Sequence, residues 1–358
     1  MRLGSLFASL RRGSLAALGA VAMLASGSAF ADSIAPTSYS ASLGIGDSVT
    51  IQKTVTITKA PPTSALVDIV FMFDTTGSMG SAIAGAKTAA TGLLTALNSS
   101  LGNVASGAGW YGDPSSALTS NLTTNIATTQ TAINAFCAGC PENGGDYLEV
   151  GYDGITAAAT GASWRAGSNR FIVVLADAAF KTPVANEAST LAALSTANAK
   201  VIGINFGGSD FAANITGLGG SVFGSSTDPT AIANAITAGI VAGFANYKKV
   251  TVDDLGAGLP GIDVSAVCTG ADSGACVGGE AIGTYDRSKD RIFTFDVTFK
   301  RLAAGDTSFE TLALVDGGLV AREADRFTDG GTVPEPASLA LMAVGLIGLG
   351  VSRRRRSS

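Results

Sequence analysis

The chain has 358 residues, more than one average domain, with 46 glycines, 14% charged residues and a formal net charge of −5, and length alone suggests two domains. Arginines are concentrated at both ends, so the segment between them is more acidic still, which argues against nucleic acid or an anionic lipid surface as partner. There is no histidine, which removes Ser-His-Asp and Cys-His catalysis and histidine-ligated zinc in one step.

Residues 1–31 read as a secretory signal. Arg2, Arg11 and Arg12 precede an apolar run from Leu15 to Leu24, and Ala29-Phe30-Ala31 offers small residues for cleavage before Asp32; the run is too short for an anchor. Ser48 to Thr58 is rich in β-branched residues and reads as a strand,, and Ala60-Pro61-Pro62 closes it,. Val67 to Phe73 is almost wholly apolar, as expected of a parallel strand buried on both faces,. Ile83, Ala86, Ala90, Leu93, Leu94 and Leu97 then fall on one helical stripe,. The Ser, Thr, Gly and Asn-rich stretch 98–129 gives no firm element beyond a candidate strand near Val104. Phe171 to Ala176 and Val201 to Phe206 read as buried strands, with helices over Ala185 to Ala197 and Thr230 to Phe244. That alternation predicts a doubly wound, parallel-sheet α/β domain over 66–246.

After Tyr247 the pattern changes. Lys249 to Val252, Arg291 to Phe299 and Glu310 to Val320 are strand-like, separated by Gly, Pro and Asp turns,. An isolated strand needs partners. Residues 38–60 are therefore expected to join 247–329 in an all-β, sandwich-like domain into which the α/β domain is inserted.

Asp74-Thr75-Thr76-Gly77-Ser78 stands at the carboxyl end of the first apolar strand, where open α/β sheets bind ligands. Asp74, Thr76 and Ser78 put one carboxylate and two hydroxyls at alternate positions, so that all three can turn to one point. Two more carboxylate loops can converge there, one carrying Asp146 and Glu149, the other Asp177 directly after the strand ending at Ala176. Oxygen-only ligands suit a hard cation such as Mg²⁺. The competing reading is a plain strand-to-helix turn with Ser78 as helix cap.

These residues resemble the von Willebrand factor type A family. Asp74, Thr76 and Ser78 match its D-x-[ST]-x-S metal-ion-dependent adhesion motif, the stretch around Glu149 is similar to the loop of its integrin-β-like members, and Asp177 stands where the family has its last acidic ligand. The likeness spans about Leu66 to Asn246. It implies one Mg²⁺ (or Mn²⁺ or Ca²⁺) held by Asp74, Thr76, Ser78, Glu149 and Asp177, with Asp146 either a ligand or an acceptor behind them. It also implies capture of a carboxylate on a partner protein or surface polymer. Leu148 departs from the proline usual in that loop, and the acidic pair that builds an adjacent metal site in integrin β chains is missing near Ser81 and Ala82.

The C-terminus carries Val333-Pro334-Glu335-Pro336, an apolar stretch from Ala337 to Val351, then Arg353, Arg354, Arg355 and Arg356. The stretch is short against the roughly 20 residues of a usual span, and arginines hold that end in the cytoplasm. The order resembles the PEP-CTERM sorting tail, cut by an exosortase. That implies transient inner-membrane association, then the cell surface or extracellular matrix.

Export puts the four cysteines in an oxidising compartment. Three pairings exist, and proximity favours Cys137 with Cys140 and Cys268 with Cys276. The C-x-x-C also leaves open thiol–disulfide exchange, but lacks a thioredoxin-like setting. Gly80 to Thr88 fails the Walker pattern because its lysine does not follow the second glycine, and Gly217-Leu218-Gly219 lacks the dinucleotide spacing,. Metal-assisted hydrolysis lacks an evident base. The expectation is a binding protein and not an enzyme; the alternative is a structural envelope or matrix component.

Overall fold

The computed structural model describes residues 31–140 and 144–330; the signal segment and the sorting tail lie outside them. In chain order the strands are β1 (Ser33–Ala35), β2 (Ser38–Leu43), β3 (Ser48–Ile57), β4 (Ala65–Asp74), β5 (Gly102–Tyr111), β6 (Ser116–Thr123), β7 (Asn169–Ala176), β8 (Ala199–Asn205) and β9 (Ser221–Gly224). They continue with β10 (Asn246–Asp253), β11 (Ile262–Ala271), β12 (Ala275–Val277), β13 (Glu280–Asp286), β14 (Arg291–Arg301), β15 (Thr307–Val315) and β16 (Gly318–Asp329). The helices are α1 (Gly80–Leu101), α2 (Ile126–Ala135), α3 (Gly151–Gly161), α4 (Glu187–Ala197), α5 (Ser209–Gly217) and α6 (Pro229–Gly243).

Strands β4 to β9 form one six-stranded sheet in the order β6-β5-β4-β7-β8-β9. Because side chains alternate across a strand, the apolar run of β4 feeds two cores. Val67, Ile69, Phe71 and Phe73 pack with α1 and α6 on one face, while Val70 and Met72 pack with α3, α4 and α5 on the other. β7 divides in the same way, Phe171, Val173 and Leu175 against Ile172, Val174 and Ala176. Asp68 is the one charge in the β4 run. Its carboxylate is fully buried but receives the Arg165 backbone N–H at 2.8 Å and the Arg165 side chain at 2.6 Å, so this charge within the apolar run is paired.

The expected parallel sheet holds for β5, β4, β7, β8 and β9. β6 departs from it: it runs antiparallel to β5 as an edge strand. A tight connection allows this, since Gly112 donates its N–H to the Ser115 carbonyl at 3.1 Å, and only antiparallel neighbours can be joined by so short a loop.

The remaining strands form a four-stranded sheet, β1-β3-β14-β11, and a six-stranded sheet, β12-β13-β10-β15-β16-β2. Each draws strands from both sides of the α/β segment, and the two share one apolar core containing Phe293, Phe295, Phe299, Phe309 and Phe327. Glu310 to Val320 is not the single strand expected but a hairpin. Asp316 and Gly317, with φ of 49° and 81°, form its two-residue turn between the paired Val315 and Gly318, the Asp-Gly chemistry that favours such turns. Arg287 holds the crossing points of the chain. Its guanidinium pairs with Asp32 at 2.6 Å and donates to the carbonyls of Ala60 and Phe244 at 2.7 and 3.1 Å, residues that flank the α/β segment. The second pair of cysteines, Cys268 on β11 and Cys276 on β12, is disulfide-bonded.

Candidate metal centre

Asp74 ends β4 and is fully buried. The chain turns sharply after it, and the turn makes its own ties. Asp74 Oδ1 accepts the Thr76 backbone N–H at 3.0 Å and the Thr76 hydroxyl at 2.7 Å, leaving Oδ2 buried with no partner. Two neighbours brace the turn. The Thr75 N–H and hydroxyl donate to the Tyr111 carbonyl on β5 at 2.9 and 3.2 Å. From the other side, the Gly139 N–H donates to the Thr75 carbonyl at 2.7 Å. Gly139 lies inside the disulfide-bonded Cys137–Cys140 loop.

Asp177 follows β7, and its Oδ1 accepts the Ser78 hydroxyl at 3.1 Å, joining the first and last carboxylate loops. Gly208 makes room for that backbone: a Cβ there would lie 2.3 Å from the Asp177 carbonyl oxygen. Glu149 is brought in by backbone pairing. Its N–H donates to Ala179 at 2.9 Å and its carbonyl accepts from Lys181 at 2.8 Å, a parallel bridge opposite Phe180. The Glu149 side chain is buried and its Oε2 has no partner. Gly144 shows that the loops meet. A Cβ there would lie 3.0 Å from Glu149 Oε1 and 3.2 Å from the Thr76 methyl. Thr76, Ser78, Glu149 and Asp177 line one cavity of about 360 Å³, with Asp146 and Tyr147 at its side.

Asp146 is differently engaged. Its Oδ1 accepts the Leu148 N–H at 3.1 Å and the Lys181 ammonium at 3.2 Å, and its side chain is largely exposed. Lys181 also contacts Asp113, so Asp146 belongs to an ion-pair group beside the cavity.

The electrostatics describe crowded, buried carboxylates. Burial pushes Glu149 up to about 8, with Asp74 and Asp113 adding repulsion and Lys181 opposing it. Burial also lifts Asp74 to about 6, against its Thr76 hydrogen bonds, and Asp177 adds to the rise. Tyr111, absent from the sequence reading, is the third group here. Its hydroxyl is buried without a partner, and burial together with Asp74, Glu149 and Asp177 raises its pKa. Among the described residues no group of three or more His, Cys, Asp or Glu would by itself hold a metal; here hydroxyls would have to complete the set.

Residues 332–356 match the model of the PEP-CTERM protein-sorting motif. The tail is a PEP-CTERM sorting signal. It marks an exported protein handled by exosortase-type machinery. No helix among the described residues is long and apolar enough to cross a membrane. Among curated proteins none matches the sequence. Among solved structures, the chain is similar to a von Willebrand factor type A protein from Catenulispora acidiphila at 15% identity and a TM-score of 0.42, over 86% of this chain and 74% of that one. It is also similar to the VWA domain of SpRpn10 at 15% identity and a TM-score of 0.38, over 48% of this chain and 95% of that one.

Proposed function

We propose that this exported protein is an adhesion or matrix-binding protein that captures a carboxylate on a partner protein or surface polymer through one divalent cation, Mg²⁺, Mn²⁺ or Ca²⁺. The observation that carries this reading is the pair of buried carboxylate oxygens without partners, Asp74 Oδ2 and Glu149 Oε2, behind the Ser78–Asp177 contact. Buried ionised oxygens left unpaired are costly, and a hard cation is the partner their chemistry suits. Asp74, Thr76, Ser78 and Asp177 would hold the ion, with Glu149 contributing directly or through water. When bound, the ion supplies a positive centre with an exchangeable position for an incoming carboxylate.

The chain's own groups set the rest. The Thr76 hydroxyl fixes the Asp74 carboxylate, and Ser78 fixes Asp177. Neutral hydroxyls among the ligands leave the site able to attract an anion. Binding without catalysis is the proposal. The α/β segment, 66–246, is read as an insertion in a sandwich-like β unit of residues 38–60 and 247–329.

A pull-down from the cell's own exported proteins and polymers tests this. The secreted protein should retain a partner in Mg²⁺ and release it in chelator, and Asp74→Ala should retain none. Retention unaffected by chelator would favour the structural reading, in which the protein is an envelope component without metal-dependent binding.

A further inference from the structure

Lys53 on β3 and Glu323 and Asp325 on β16 are all buried, at 0%, 1% and 2% exposure. Glu323 and Asp325 stand two apart and so share a face of their strand. β3 and β16 belong to different sheets, and these three side chains meet in the aromatic core between them. The Lys53 ammonium donates to Glu323 Oε2 and lies 3.8 Å from Asp325 Oδ1. It sits 5.0 Å from the ring centre of Phe299 and 6.0 Å from that of Tyr39. Glu323 Oε1 and Asp325 Oδ1 have no hydrogen-bond partner, while Asp325 Oδ2 accepts the Thr311 hydroxyl at 2.5 Å.

As an ion cluster this arrangement is poorly balanced. One cation faces two carboxyls in a dry core, and burying a charge without full compensation is costly. Burial raises the pKa of both carboxyls, against the lowering effect of Lys53, which favours a proton on the pair. An amine and a carboxyl held together away from water have a neutral alternative open to them.

We propose that Lys53 and Asp325 condense into an intramolecular amide bond, with Glu323 relaying the protons. Glu323, in contact with the ammonium, takes one proton and frees the nitrogen lone pair. The nitrogen attacks Cγ of Asp325, whose Oδ2 is polarised by the Thr311 hydroxyl, and the C–N bond forms. Glu323 then delivers protons to Oδ1, the Cγ–Oδ1 bond breaks, and water leaves. Of the three ammonium protons one remains on the amide and two depart with Oδ1, while the proton first shared by the carboxyl pair is left on Glu323, so no oxidant, nucleotide or other co-reactant is needed. Desolvation of the lysine and fixed proximity supply the activation. The product has a role in the architecture. Lys53 precedes the α/β segment and Asp325 follows it, so the bond would close the chain around that segment. Pulling on the C-terminus would then load β3, which leads into β4 and Asp74, without unzipping β10 to β15.

Peptide mapping of the exported, processed protein, unfolded and with its disulfides reduced, tests this. The expected result is a branched peptide joining the Lys53 and Asp325 segments, one water lighter than their sum, with no tryptic cleavage after Lys53. Glu323→Gln keeps the side-chain shape and should give unlinked peptides and ready cleavage at Lys53 in a protein with an unchanged circular dichroism spectrum. Unlinked peptides from the folded wild type would overturn the proposal, a result that does not depend on any variant folding. A branch at Glu323, or a Glu323→Gln protein that still cross-links, would overturn the assigned roles.

Discussion

Asp74 accepts two hydrogen bonds on one oxygen and none on the other, and that asymmetry makes the site testable one residue at a time. Thr76→Ser keeps the hydroxyl on Asp74 but removes one buried methyl, so it should cost about 1 kcal/mol of stability, with metal uptake unchanged in a titration. The carboxyl pKa values give a second handle. In the folded, cation-free protein Glu149 titrates at about 8 and Asp74 at about 6, both raised by burial. The unfolded chain loses these protons in the ordinary carboxylate range, so the folded state binds more protons between the two ranges. The contribution of these two groups to stability is then full below the ordinary carboxylate range and is lost as pH rises to about 6 for Asp74 and about 8 for Glu149,. The melting temperature of the chelated protein should decline over that window, and Mg²⁺ should restore it most at the alkaline end. A chelated protein that grows more stable over the same window would contradict the arrangement. Asp74, Thr76 and Ser78 were legible from sequence because they alternate directly after an apolar strand. Tyr111 was not, since it lies in a stretch whose Ser, Gly and Asn content hides the end of β5.

The loops owe their convergence to main-chain ties between elements. Glu149 reaches the cavity through its bridge to Phe180, a pairing that no residue pattern announces, and Asp177 passes Gly208 at a distance no side chain tolerates. Gly208→Ala should cost about 1–3 kcal/mol, the usual penalty of overpacking against fixed backbone, read as a lower melting temperature together with weaker metal binding; an unchanged melt would contradict the close approach. The Cys137–Cys140 loop braces the Asp74 turn through the Gly139 N–H. Replacing both cysteines by serine should weaken metal binding several-fold while the β unit keeps its structure. The strands β4, β7 and β8 could be read from unbroken apolar runs. α2, α3 and α5 escaped because Ala, Thr, Gly and Asn give their faces little contrast, and β15 and β16 merged because the apolar pattern continues across the Asp316-Gly317 turn.

At the scale of the whole molecule the chain couples a delivery signal to a rim of convergent loops. The PEP-CTERM motif at 332–356 predicts that protein in cells lacking the processing enzyme accumulates in the inner membrane, and that mature exported protein lacks Arg353 to Arg356 by mass spectrometry; an intact arginine tail on the surface form would show a plain anchor. The C-terminal motif could be read in the sequence because its arginines and apolar run are local features. The sharing of two sheets by strands on both sides of the α/β segment rests on pairing across more than two hundred residues, for example Lys53 opposite Phe295, and only the need of a lone strand for partners hinted at it. The central claim is that the buried, unpartnered oxygens of Asp74 and Glu149 await a cation. Isothermal titration of Mg²⁺ into the chelator-stripped, exported protein measures this directly. The account predicts one site per chain, protons released on binding as the raised carboxyls ionise, and no detectable uptake by Asp74→Ala with its circular dichroism spectrum preserved. Equal Mg²⁺ affinity in the wild type and Asp74→Ala would contradict it.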